Sequence, residues 1–389
     1  MIFSKIIYFT KRKKTAMIKF RCFKNELHEA ISKVSGCTVV KTTMPFLESI
    51  RFRIKDNVLE INGFNLEYGI KTSIKVETED ENNEGEFLVI PRLISEAVRR
   101  MESETIDFII TDKYLIEMKG GDTEYTISAS YAGEYPELPV VELDDALMIP
   151  ENIFKSMIKQ TKYATSNNEM KPVMMGQLFD IENGEMHLVA IDGYRLAICH
   201  REVNCLKDMN FIIHKKAMSV IDSFLRDDCE ENISIYTNGK HALFILHGCT
   251  FIVRLMEGVF HNYKSSIPVS FETEVIINSK KLQHSLERCA LLINEKNNSP
   301  VKCKFSGNSV NIRCETGVGK INDFVPIELS GPDVRIGFNN QYILEASRFA
   351  DCENVKIQMS GDKSVVQMLP MQGDYFRFLL MPIRIKEED

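Results

Sequence analysis

Three stretches of this chain are versions of one another, and that repetition limits its possible folds more than any other feature. Met101–Ile110 (Met-Glu-Ser-Glu-Thr-Ile-Asp-Phe-Ile-Ile), Cys229–Tyr236 and Cys352–Met359 each read as the end of a helix passing through an acidic turn into a strand. Aligned on Glu104, Glu231 and Glu353, they lie 127 and 122 residues apart. Solenoid units repeat every ~20 to 50 residues, so spacings of this size mean that a whole domain occurs three times.

Each unit has the same internal order. A first helix is marked by Phe23, Leu27, Ile31 and Val34, by Ile153, Met157 and Ile158, and by Leu282, Leu286, Cys289 and Ile293. Alternating strands follow, with hairpin turns at Asp56-Asn57, Asn183-Gly184 and Gly307-Asn308. A second helix is predicted over Pro91–Glu102, Lys215–Arg226 and Asn340–Ala350, then further hairpins turning at Gly120-Gly121, Asn238-Gly239 and Gly361-Asp362. This is an α+β unit of two helices on β-sheet. Boundaries at Pro136–Pro150 and Ser265–Glu274 give domains over 17–140, 141–268 and 269–389, after a leader of residues 1–16. The acidic run from Glu77 to Glu86 reads as a solvated loop between strands.

At 44% hydrophobic and 26% charged, the 389 residues suit folded domains and exclude a disordered or fibrous chain. The net charge of −7 argues against wholesale coating of nucleic acid or an anionic membrane, though not against a local basic surface. The leader holds Lys5 and the run Lys11 to Lys14, so the rest of the chain is more acidic still. Its basic residues follow the apolar segment, the reverse of a secretory signal. It reads as a disordered tail or as residues upstream of a start at Met17, with a basic peripheral anchor as the alternative. No apolar run approaches the ~20 residues that span a bilayer, and a cytoplasmic protein is expected. The ten cysteines include no Cys-x-x-Cys pair, so zinc and redox motifs are unsupported; Cys199 and Cys303 read as buried small hydrophobes in a reducing compartment.

No signature of catalysis emerges. There is no phosphate-binding Gly-Lys-Ser/Thr loop, no Gly-x-Gly-x-x-Gly, no His-Glu-x-x-His and no Gly-x-Ser-x-Gly. His241 and His247 stand six apart across an expected hairpin and read as structural polar groups; Asp227, Asp228, Glu230 and Glu231 read as a solvated turn. No cofactor, metal site or catalytic group is therefore expected. What does recur is basic residues on the helices. Lys155, Lys159 and Lys162 form one line at i, i+4, i+7, and Arg99 with Arg100, Lys215 with Lys216 and Lys280 with Lys281 belong to other predicted helices. Gathered on one surface, they would meet phosphates without reading bases.

Three acidic α+β units with basic helices resemble the bacterial DNA polymerase III β subunit, the DNA sliding clamp family. Ala190-Ile-Asp-Gly-Tyr-Arg-Leu-Ala-Ile-Cys199 is similar to the family's Thr-Asp-Gly-His-Arg-Leu-Ala segment, and Gly258-Val-Phe-His-Asn-Tyr263 with Ile267-Pro268 to its Gly-Arg-Phe-Pro-Asp-Tyr and Leu-Pro run. Ile336-Gly-Phe-Asn339 with Tyr342, and Met381-Pro-Ile-Arg-Ile385, resemble its third-domain helix start and its closing Met-Pro-Met-Arg-Leu. The likeness covers 17–389.

The resemblance implies three tandem clamp domains and a head-to-tail homodimer forming a six-domain ring around double-stranded DNA, held without sequence preference. It implies a non-catalytic tether for the replicative polymerase, clamp loader and repair proteins, which dock short linear peptides. It puts Met174, Ile191, Tyr194, Arg195, Leu196, Ser266, Asn339, Tyr342, Leu379, Met381 and Pro382 around the peptide pocket, Lys41 and Asn168 in DNA-contacting loops, and Tyr125, Leu291 and Leu292 at the subunit interface. Ile191, Tyr194 and His261 depart from the family's usual Thr, His and Pro, which bears on peptide preference. The acidic end Lys386–Asp389 extends past the usual terminus and is expected to weaken acidic peptides. The alternatives to a clamp are a metal-dependent DNA-processing enzyme and a monomeric peptide-binding scaffold.

Overall fold

The computed structural model describes residues 18–39, 41–78, 83–205, 207–293 and 299–385. The leader, Glu79 to Glu81 of the acidic run and the extension 386–389 lie outside these. Six α-helices occur among the described residues: α1 (Lys24–Ser35), α2 (Pro91–Arg100), α3 (Glu151–Lys162), α4 (Lys215–Phe224), α5 (Ser279–Ala290) and α6 (Asn340–Phe349). They pack in consecutive pairs, one pair for each repeat.

The three aligned glutamates play one structural part. The carbonyls of Glu104, Glu231 and Glu353 accept from the first backbone N–H of α1, α3 and α5, at Lys24 (2.9 Å), Glu151 (2.9 Å) and Ser279 (2.8 Å). The first turn of a helix leaves N–H groups without intrahelical partners, and in each repeat the strand after the second helix satisfies one of them. Side-chain caps supply others: His214 accepts from Lys216 N–H, Asn278 from Lys281 N–H, and Asn339 from the N–H groups of Gln341 and Tyr342.

Leu27, Ile31 and Val34 line the buried face of α1, but Phe23 does not belong to it. Phe23 ends the strand Ile18–Phe23, whose side chains alternate, and that alternation turns it outward, 54% exposed. The acidic stretch also differs from a plain loop. Glu77 exchanges backbone hydrogen bonds with Arg21, and Glu86 lies in the strand Gly85–Val89.

The chain divides into two compact units. The first comprises 1–140 with 243–253. It holds an antiparallel sheet in the order Ile18–Phe23, Thr105–Ile110, Leu115–Gly120, Thr123–Ser128. A second sheet orders Gly85–Val89, Ile50–Lys55, Val58–Phe64 and Tyr68–Lys75, and residues 249–253 pair along 68–72. A strand from the middle of the sequence thus covers what would otherwise be an open edge. Phe20 stacks on Phe108 and Phe52 on Phe87 in this core.

The second unit comprises 141–242 and 254–389. Among the described residues it builds one sheet of twelve strands. Met209–His214, Gly176–Glu182, Glu185–Ile191 and Arg195–Glu202 lie side by side, and then Phe376–Leu380 continues the sheet. The seam runs antiparallel from Arg195 opposite Leu380 to Cys199 opposite Phe376. Pairing these strands removes two edges and joins the second repeat to the third. The expected turns recur with positive φ at Asp56, Asn57, Asn183, Gly184 and Gly307, the backbone that short hairpins need. Cys199 and Cys303 are buried thiols, as expected; burial pushes Cys199 up to about 11.

Candidate functional site

At the seam the second unit forms an apolar cluster separate from its main core. Ile191, Leu196 and Leu379 meet Leu178, Val189, Ile198, Ile212 and Tyr263, with Val173, Met174, Phe260, Ile267 and Val365 packed around them. Leu196 lies directly opposite Leu379 in the strand pairing. Met381 follows on the same chain, 47% exposed, and its N–H bonds to the Tyr194 carbonyl at 2.9 Å. Tyr194 is itself 64% exposed, with its ring 6.4 Å from that of Tyr342. Ser266 accepts or donates to His261 at 3.2 Å, so a residue that departs from the family pattern touches an expected pocket residue. Pro382 is half-buried, one residue before the bridge between Ile383 and Gly337.

Arg195 ties this region together. Its Nε donates to Asp192 at 2.9 Å, one terminal nitrogen pairs with Glu345 and the other donates to the Tyr163 carbonyl at 2.7 Å. The guanidinium lies 4.3 Å from the Tyr342 ring centre and 5.3 Å from that of Tyr163. Burial works against its charge, and the Glu345 and Asp192 carboxylates more than restore it. Asp192 also accepts from the N–H groups of Tyr194 and Arg195, which shapes the turn, while Asn339 caps the helix that carries Tyr342 and Glu345. Nothing in the sequence pointed to Glu345, Tyr163, Phe260 or Val365 in these roles. The first two act from 150 and 32 residues away from Arg195.

The basic helix faces are partly neutralised. Lys155 and Lys159 both reach Asp227, at 3.1 and 2.5 Å, and Lys162 pairs with Asp222 at 2.6 Å. The line on α3 is therefore not an open row of cations, and Asp227 is not simply a solvated turn: its two lysines, Lys159 foremost, hold its carboxyl below the usual range. Arg99 and Arg100 pair with Glu96, and Lys215 donates to the Ser166 carbonyl at 2.5 Å. Partial burial and then the neighbouring Lys216 lower the Lys215 pKa. Among the described residues, Lys41, Lys216, Lys280 and Lys281 are exposed and have no carboxylate partner. Asn168 is exposed in its loop, where its side chain accepts from Met170 N–H.

Tyr125 sits on the edge strand Thr123–Ser128, beside a groove of about 910 Å³ that Arg21, Asp107, Lys119 and Glu124 also line. Leu291 ends α5 with 84% of its surface exposed, and Leu292 is half-buried. His241 and His247 do not face each other: His241 opens the strand His241–Leu246 and His247 follows its end, because the hairpin turns only at 247–248. The one group among the described residues able to hold a metal ion is Glu185, His187 and His200, which the scattered histidines in the sequence did not reveal.

Family models for the N-terminal, central and C-terminal domains of the DNA polymerase III β subunit match residues 18–139, 148–262 and 264–384. The chain belongs to the DNA polymerase III β subunit family. Its likeness to the β sliding clamp of Halalkalibacterium halodurans is 28% identity over 91% of this chain and 96% of that one. With that of Bacillus subtilis it is 26% over 94% and 100%. A crystal structure of the Bacillus subtilis clamp superposes with a TM-score of 0.91 at 25% identity, covering 95% of this chain and all of the other. The three tandem clamp domains expected from the resemblance are thereby established. These likenesses lend no support to a metal-dependent DNA-processing enzyme or a monomeric scaffold. Among the described residues, no helix is long and apolar enough to cross a membrane.

Proposed function

We propose that two copies of this chain close head to tail into a six-domain ring around duplex DNA, so that topology, not tight binding, provides processivity. As a member of this family the chain is a DNA sliding clamp, a non-catalytic subunit that supports a polymerase. The observation that carries the ring is the threefold recurrence of one two-helix unit, matched domain by domain from 18 to 384. We assign the domains to 17–140, 141–268 and 269–389. Tyr125 of one copy meets Leu291 and Leu292 of the other in this reading, an arrangement favoured by the edge strand that carries Tyr125 and the exposed Leu291.

Lys41, Lys216, Lys280 and Lys281 are the primary phosphate contacts, and Asn168 is a further DNA contact. Arg99, Arg100, Lys155, Lys159, Lys162 and Lys215 contribute a field tempered by their partners. Few free cations give weak, mobile contacts, and sliding needs that weakness. The cluster around Ile191, Leu196 and Leu379, with Met174, Met381 and Pro382 at its margin and Tyr194, Ser266, Asn339 and Tyr342 nearby, takes apolar anchors of short peptides from polymerase, clamp loader and repair proteins. The chain works in the cytoplasm, at the nucleoid during replication.

Imaging of negatively stained protein, classified without imposed symmetry, tests the ring. Six-lobed particles with an open centre are expected; compact particles without a hole overturn it. In a companion assay, loaded protein stays on nicked circular DNA and leaves once that DNA is linearised.

A further inference from the structure

Glu185–Ile191 and Arg195–Glu202 pair as an antiparallel hairpin in which His187 stands directly opposite His200. Side chains two residues apart share a face of a strand, so Glu185 joins both imidazoles on the same side of the sheet. One donor atom from each residue lies within 4.8 Å of the others. A tetrahedral ion with bonds of about 2.0–2.1 Å to imidazole nitrogen needs donors about 3.3 Å apart, which small side-chain shifts would supply here. We propose that Glu185, His187 and His200 form a binding site for a divalent transition metal of the zinc class, using two imidazole nitrogens and one carboxylate and leaving a fourth position to water.

The surroundings fit that role. One Glu185 oxygen bonds His200 Nδ1, and the other lies 3.5 Å from His187 Nε2. On the far side of the His200 ring, Nε2 faces Asp374 Oδ1 at 3.2 Å, and Asp374 is steadied by Arg377 at 3.2 Å. A carboxylate on the outer nitrogen of a ligating histidine fixes its tautomer and raises its basicity. The Glu185 carboxylate lies beside His187 Nε2, while Nδ1 of that ring is buried without a hydrogen-bond partner, so the imidazole presents Nε2 toward the other two residues. The three side chains keep between 21% and 43% of their surface open to water, which provides a way in. Two imidazoles favour zinc, copper or nickel over magnesium or calcium, which prefer all-oxygen sites.

The location gives the site a consequence. His200 N–H donates to the Tyr375 carbonyl at 3.0 Å, and Asp374 is the neighbouring residue on the third domain. A bound ion would fasten the central hairpin and, through Asp374, the seam between the second and third domains.

The test titrates zinc into the full-length chain, its accessible thiols first blocked with iodoacetamide, in competition with a chromophoric chelator; cobalt is added in parallel for its spectrum. One saturable equivalent is expected, with a cobalt spectrum lacking thiolate charge-transfer bands and a thermal midpoint that rises until the site is full. His200→Gln and Glu185→Gln, each checked for an unchanged circular dichroism spectrum, should lose that equivalent. Asp374→Asn should weaken it about 10- to 100-fold, and His241→Gln should keep it. No saturable equivalent in the thiol-blocked chain without substitutions, an equivalent that survives in both ligand variants, or a thiolate spectrum would overturn the proposal.

Discussion

The Arg195 guanidinium of the second domain lies 4.3 Å from the centre of the Tyr342 ring of the third, with Glu345 closing the same contact one helical turn further on. The seam beside the apolar cluster proposed to take peptides is therefore held by charge as well as by strand pairing. Arg195→Ala leaves Glu345 and Asp192 facing each other in a largely buried site, and a loss of about 3 kcal/mol in urea unfolding is expected. In a double-mutant cycle with Glu345→Gln the two changes should be strongly non-additive, by about 1–3 kcal/mol.

Leu379 and Met381 differ in how far the core depends on them. Leu379→Ala opens a cavity in the apolar cluster and should cost about 2–4 kcal/mol of stability. Met381 is half exposed, so Met381→Ala should change stability by less than about 0.5 kcal/mol. Its effect should fall on docking, with affinity for an apolar clamp-binding peptide reduced about tenfold, or ~1.4 kcal/mol, by fluorescence anisotropy. Peptide affinity unmoved by Met381→Ala would remove it from the pocket.

Asp227 restrains two lysines of α3. Asp227→Asn should free Lys155 and Lys159, raise affinity for duplex DNA and steepen the dependence of log affinity on log salt by about 1–2. The same pair has a signed pH dependence. Because the lysines depress the Asp227 pKa in the folded state, its contribution is complete above the ordinary carboxylate value of about 3.9 and disappears as pH falls through the lower folded value. The difference in unfolding midpoint between the native chain and Asp227→Asn should accordingly shrink on acidification below pH ~4.

Gly258 has φ +127°, and a Cβ placed there would come within 2.7 Å of the Val173 side chain. Val173 packs, like Met174, against the apolar cluster proposed to take peptides. Gly258→Ala should cost about 1–3 kcal/mol through backbone strain and weaken peptide docking by displacing Val173. A substitution that leaves both unfolding and peptide titration unchanged would show that this turn does not support the pocket.

The amino-acid sequence by itself determined the threefold architecture. The repeat anchored at Glu104, Glu231 and Glu353, the helical spacing of Leu27, Ile31 and Val34, and the hairpin turns at Asn57 and Asn183 all depend on neighbours within a few residues along the chain. Local chemistry is enough to write such signals. Tertiary structure alone decided which charges remain free, because Asp222 and Asp227 reach the α3 lysines from 60 to 72 positions away and cancel part of a stripe that looks open in one dimension. It alone joined Arg195 to Tyr342 and Glu345, gave residues 249–253 to the first unit, and set His187 opposite His200. Pairing energies depend on distance in space, and these distances exist only once the strands have found their register.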